Sequence, residues 1–176
     1  VILGTRVDDG SGADTSRMLQ VASDEGFANL VVEESFDALV TSDHCLKIRV
    51  TELDAGQHYY YRFIYQSGGK NYSSRIGRTK TAAAPDSDSK VKFAYVSCQD
   101  YIGRYFNNYL SLLDNDDLDF VVHLGDYIYE TTGDSQFQSA GGARSIEFTD
   151  NEGALTIGVG DNKTQAANSL DNYRQL

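Results

Sequence analysis

Three side chains in this sequence could do chemistry together: the thiol of Cys98, the carboxylate of Asp126 and the phenol of Tyr129. Cys98 lies in Ser97-Cys98-Gln99-Asp100; the other two lie in Gly125-Asp126-Tyr127-Ile128-Tyr129-Glu130. Thiolate, carboxylate and phenolate form an anionic oxygen-and-sulfur pocket suited to a divalent or trivalent transition metal. A free tyrosine titrates near about pH 10 and a free cysteine near about 8.5, so both need a Lewis-acidic ion to stay deprotonated at neutral pH. Taken singly, each residue is ordinary. A cysteine at a strand end is usually a small buried hydrophobe, Gly-Asp is a common turn, and a lone tyrosine is usually core. The metal reading rests on their combination.

That combination requires two strand ends side by side. Val91–Ser97 is a continuous apolar run, and Phe120–Leu124 is another. Between them, apolar residues at Tyr105, Tyr109, Leu112 and Leu113 recur at helical spacing, followed by the acidic turn Asp114–Asp119. Strand, helix and strand of this length make a βαβ unit with two buried parallel strands. Both carboxyl ends then point the same way, which is where open α/β sheets build their sites. Gly125 permits a sharp turn, after which Asp126 projects from the sheet edge. Residues 131–165 are rich in Gly, Ser and Asp and read as a long loop; a helix begins at Ser169.

The preceding part has a different character. Residues 1–82 read as an all-β domain with strands at Val1–Val7, Met18–Ala22, Asn29–Glu33, Leu46–Val50, Tyr59–Tyr65 and Ser73–Thr79, separated by turn clusters. Short strands at this spacing indicate a β-sandwich. Cys45 sits in an alternating strand and reads as packing, and His123, inside an apolar strand, reads as a satisfied core histidine. Residues 83–90, with the only proline, read as a linker, and residues 91–176 as the first part of an α/β domain.

Composition narrows the partners. A net charge of −11 and no Lys/Arg run argue against nucleic acid, whose phosphates need a basic face. The 40% hydrophobic content is that of a packed protein, and no apolar run is long enough for a membrane span. Two cysteines are too few for a disulfide framework, and a Cys45–Cys98 bridge would consume the Cys98 thiol. No signal peptide is visible at the start of the sequence, and Val1–Arg6 reads as mid-strand, as though an upstream piece were missing.

The segment YVSCQDYIGRYFNNYLSLLDNDDLDFVVHLGDYIYE resembles the first catalytic segment of the PhoD-type alkaline phosphatases, within the calcineurin-like metallophosphoesterases. VILGTRV and LDAGQHYYYRF…GRTKT resemble that family's N-terminal domain, which is similar to fibronectin type III, and SLDNYRQL resembles the helix after its variable loop. The resemblance implies that residues 1–82 are a fibronectin type III-like sandwich lacking its first strand. It implies further that Cys98 and Tyr129 bind ferric iron and that Asp126 bridges the iron to a calcium ion. Most calcineurin-like enzymes have Asp-x-His where this chain has Ser97-Cys98-Gln99, a departure that fits the PhoD branch. Asp100 and Glu130 stand beside the ligands, and Arg144 is a candidate for facing a substrate phosphate. Gly4 stands where the family usually has Trp, which implies a hole in the sandwich core or a local rearrangement.

The implied activity is hydrolysis of phosphate monoesters or diesters by in-line attack, on a small-molecule or lipid substrate, in the periplasm or outside the cell. The family's remaining ligands lie further along its chains. Residues 1–176 alone are therefore expected to be catalytically incomplete and poorly stable unless a C-terminal fragment of the same protein joins them. Two other readings compete: a phospholipase D-like phosphodiesterase of the same family, and a non-catalytic extracellular binding module.

Overall fold

Where apolar and polar residues alternate, one face of each strand turns inward, and this builds the first part of the chain. In the computed structural model, which describes residues 1–115, 117–139 and 142–176, the chain divides into two units, Val1–Ser89 and Lys90–Leu176. Strand predominates over helix, and the helices are short.

In the first unit, β1 (Ile2–Arg6) pairs antiparallel with β4 (Cys45–Arg49). A second sheet joins β2 (Thr15–Ala22), β3 (Leu30–Ala38), β5 (His58–Ser67), β6 (Lys70–Ser73) and β7 (Gly77–Lys80), with β2 and β5 adjacent. Leu3 and Ile48 from one sheet and Leu19, Val21, Tyr59 and Phe63 from the other share a single apolar core with Val50. Burial of such side chains contributes about 1.5–3 kcal/mol each and fixes the register, since a one-residue slip would turn them outward.

Three sequence expectations change here. The return strand expected over Ser73–Thr79 is split into β6 and β7, both on β5. At the break the Ser74 hydroxyl accepts from the Phe63 amide at 3.0 Å and the Ser74 amide donates to the Phe63 carbonyl at 2.9 Å, so a side chain replaces part of the ladder. Gly4 faces away from the core, since buried Leu3 and half-buried Thr5 point the other way; a Cβ on Gly4 would meet only the Leu46 carbonyl oxygen, at 3.3 Å. The missing Trp therefore leaves no hole in this core. Cys45, expected to pack, is an exposed free thiol because it lies on the outward phase of β4.

In the second unit, β8 (Phe93–Val96) and β9 (Phe120–His123) pair in parallel, joined through α1 (Asn108–Leu113). The expected burial of these strands does not hold. Tyr95 is 70% exposed, Phe120 49% and Val121 47%, and α1 buries none of its residues. Two strands and a two-turn helix have too little surface to cover both faces of the ribbon. Helix α1 also starts later than its apolar spacing suggests, because residues 101–106 are engaged elsewhere, as described below. In the acidic turn, Lys92 pairs with Asp117 at 2.5 Å and its amide donates to Asp119 at 2.8 Å; Asp116 lies outside the described residues.

The long loop expected over 131–165 contains a hairpin, β10 (Leu155–Val159) and β11 (Asn162–Ala166). Leu155, Ile157 and Val159 alternate with small residues, and Gly160, at φ 62°, opens a two-residue turn with Asp161. Helix α2 (Leu170–Gln175) starts at Ser169, which exchanges capping hydrogen bonds with Asn172.

Candidate metal centre

The site is built where β8 and β9 end. Pairing continues past both strands: the Cys98 amide donates to the Gly125 carbonyl at 3.2 Å, and the Gln99 amide to the Asp126 carbonyl at 3.0 Å. Cys98 then takes φ 63° and Asp126 φ 51°, both left-handed, while Gly125 sits at φ 129°. A left-handed residue costs an L-amino acid about 1–2 kcal/mol. Here it breaks the strand's two-faced alternation and turns both side chains toward one point.

The result is a convergence of the three candidate residues. The Cys98 thiol donates to Asp126 Oδ2 at 3.3 Å, and the Tyr129 hydroxyl donates to the same oxygen at 3.3 Å. Cys98 and Asp126 are exposed and Tyr129 is half-buried. The Tyr129 phenol is held well above its ordinary range, first by its hydrogen bond with Cys98, then by desolvation and the neighbouring Asp126 charge. Three acidic groups around one point repel one another when ionised, so the donor set fits a cation. Among the described residues, no group of three or more His, Cys, Asp and Glu is placed to hold a metal, so the phenol is essential to this set.

Residues 1–83 match the family described as PhoD-like phosphatase, N-terminal domain, and residues 93–176 match PhoD-like phosphatase. The chain belongs to the PhoD-like phosphatase family. It is 34% identical over 127 residues to alkaline phosphatase D of Bacillus subtilis (strain 168), an alignment covering 72% of this chain and 21% of that relative. It also superposes on a solved structure of PhoD with a TM-score of 0.74 at 28% identity, covering 99% of this chain and 31% of the other. The chain thus spans about a fifth of the length of the curated relative it matches.

In this PhoD-like phosphatase chain, the residues around the triad hold the two strand ends together. Gln99 donates to the Tyr127 carbonyl at 3.2 Å and accepts from the Tyr109 hydroxyl at 2.8 Å, tying the Cys98 segment to the Asp126 segment and to α1. Beyond Tyr129, Thr132 and Ala167 donate to the Gln165 and Glu130 carbonyls, so β11 runs beside the chain leaving the site. His123 departs from the sequence reading. Its Nδ1 accepts weakly from the Gly125 amide at 3.4 Å, but its Nε2 has no partner among the described residues.

Arg144 does not extend freely into a site. Its guanidinium lies over the rings of Tyr101, Tyr105 and Phe106 at 4.4, 5.1 and 4.9 Å and donates to the Arg104 carbonyl. Glu130 is exposed, whereas half-buried Asp100 accepts from the Ile102 amide at 3.0 Å. The residue that sequence reasoning missed is Gln138. It is 5% exposed and bonds to both segments that leave the strand ends. It sits in a stretch without periodicity, so no spacing signals it.

Proposed function

We propose that this chain supplies part of a metal centre that hydrolyses phosphate monoesters or diesters, with Cys98, Asp126 and Tyr129 as ligands. In this reading Cys98 and Tyr129 would hold ferric iron, and Asp126 would serve both that ion and a neighbouring calcium. The observation that carries it is the meeting of thiol and phenol on one oxygen of Asp126. When bound, such ions supply Lewis acidity for phosphoryl oxygens and for an attacking water.

The protein's own contribution is orientation and proton inventory. The left-handed turns at Cys98 and Asp126 aim both side chains before any ligand arrives, so little reorganisation is needed on binding. Cys98 and Tyr129 each present a proton toward Asp126, and both protons must leave as a cation takes their place. Cation binding is therefore expected to strengthen with pH. Cys98 and Tyr129 act as electron-rich donors in this scheme, not as nucleophiles.

The same proposal takes residues 1–82 as a fibronectin type III-like domain, 83–90 as a linker and 91–176 as the beginning of the phosphatase domain. Support comes from one core shared by two sheets in the first unit and a parallel βαβ in the second. A periplasmic or secreted location and a small-molecule or lipid phosphoester substrate belong to this reading too. No helix among the described residues is long and apolar enough to cross a membrane.

The test uses the protein at its natural length, loaded with ferric iron and calcium. Wild type should develop a phenolate-to-iron charge-transfer band and cleave a phosphate ester. Tyr129→Phe should abolish the band, and Asp126→Ala should lower activity by more than the roughly 10–100-fold typical of outer-sphere changes. A colourless, iron-free preparation with full activity would refute the ferric assignment.

A further inference from the structure

We infer that Gln138 is a positioning residue that sets the separation of the Cys98 and Tyr129 segments; this rests on their reading as metal ligands. Its amide is used at both ends. Nε2 donates to Asp100 Oδ1 at 3.1 Å and to the Thr131 carbonyl at 3.1 Å. Oε1 accepts from the Thr131 hydroxyl at 2.9 Å, the Gly133 amide at 2.9 Å and the Asp134 amide at 2.8 Å. Asp100 follows Cys98 by two residues and Thr131 follows Tyr129 by two. One buried side chain thus grips the chain at the same distance beyond each of two ligands.

The geometry leaves Gln138 little freedom. A buried amide that lost these partners would carry the desolvation cost of its N–H and C=O groups, so the segments are held to it more firmly than by exposed contacts. Other contacts hold the same two segments together. Arg104 donates to the Phe137 carbonyl, and Arg144 fastens residues 101–106 as described. Gly103, at φ 66°, lies so near Ser139 that a Cβ would come within 2.4 Å of its carbonyl oxygen. Asp100 Oδ2 is buried and has no partner among the described residues, so the described hold on this carboxylate falls on Oδ1, through Gln138 and the Ile102 amide.

Outer residues that orient metal ligands typically change metal affinity by about 10–100-fold when removed. Gln138→Glu keeps an acceptor for the Thr131 hydroxyl and the Gly133 and Asp134 amides but loses the N–H groups that reach Asp100 and the Thr131 carbonyl. Asp100→Ala removes the other end, whereas Asp100→Asn keeps an acceptor oxygen for Gln138. The experiment titrates each variant with ferric iron at natural length and follows the charge-transfer band. Expected are a loss in affinity of about tenfold or more with a shifted band for Gln138→Glu and Asp100→Ala, and wild-type behaviour for Asp100→Asn.

Wild-type affinity and band in the first two variants would overturn the inference. So would an equal loss in Asp100→Asn, which would place the effect in the Asp100 charge and not in its bond. Should Gln138→Glu or Asp100→Ala not fold, Thr131→Val deletes a single bond to Oε1 and should give an intermediate loss; no loss would count against the clamp. Hydrogen exchange in the metal-free protein separates the two ideas. Gln138→Glu should raise exchange in residues 98–102 and 131–134 together, and unchanged exchange refutes the clamp whatever metal binds. A wild type that shows no band refutes the ferric reading, and the exchange result then decides the clamp by itself.

Discussion

The two units organise themselves by opposite means. In the first, apolar side chains from two sheets close on each other, and Leu19 and Val21 are fully buried. In the second, the apolar strands β8 and β9 stay open while polar side chains fasten the loops at their ends. The difference teaches that, within residues 1–176, polar contacts more than apolar burial fasten the loops that carry the candidate chemistry, with Ile102 and Phe148 the main buried apolar side chains of the second unit. Those contacts are amide, carboxylate and cation–ring contacts gathered around two strained turns.

The sharpest way to break this comparison is to cut a large hole in each unit. Phe63→Ala removes a ring that is 4% exposed and should cost about 3–5 kcal/mol, read as a fall in the first unit's melting temperature. Next in size is Gly103→Ala, which adds a Cβ against Ser139 at a left-handed position. It should destabilise the second unit by about 1–3 kcal/mol and raise exchange around residues 99–106. Phe120→Ala should cost only about 1 kcal/mol, chiefly its stacking on Phe93 at 5.3 Å, although Phe120 is as large as Phe63. A loss equal to that of Phe63→Ala would mean that β9 is covered in solution and the contrast is false.

The smallest effect is a pH dependence at Asp24 in the first unit. Backbone amides of Ala28 and Asn29 donate to Asp24 at 3.0 and 2.7 Å and hold its carboxyl below the usual range. Because the folded value is depressed, the stabilisation is complete above about pH 4 and fades as pH falls through the folded value. The melting temperatures of wild type and Asp24→Asn should therefore converge in acid. A gap that stays constant down to low pH would remove Asp24 from the acid response.

Some of this is legible in the residues themselves. The parallel pairing of β8 and β9 follows from two apolar runs with a helical spacing between them, and with it the meeting of Cys98 and Asp126. That Tyr129 joins them follows from its place in the same short turn. Exposure of those strands is not legible, because an apolar run states what could be buried but not whether anything covers it. The outward placement of Cys45 and Gly4 is not legible either, since one residue of phase decides which side of a strand is inward. The β10–β11 hairpin is written in the alternation Leu155, Ile157, Val159 and in Gly160-Asp161, but surrounding Gly and Asn residues obscure it. Gln138 bonds locally to Thr131, Gly133 and Asp134, but the contact that ties it to the Cys98 segment is not legible, because Asp100 is 38 residues away and is brought by the fold.

The left-handed backbone at Cys98 and Asp126 has an implication for anyone wishing to graft this pocket elsewhere. Copying three side chains onto an ordinary pair of parallel strands would scatter them to opposite sides of the host. The two reversed hinges, with Gly125 between strand and carboxylate, would have to travel as part of the transplant.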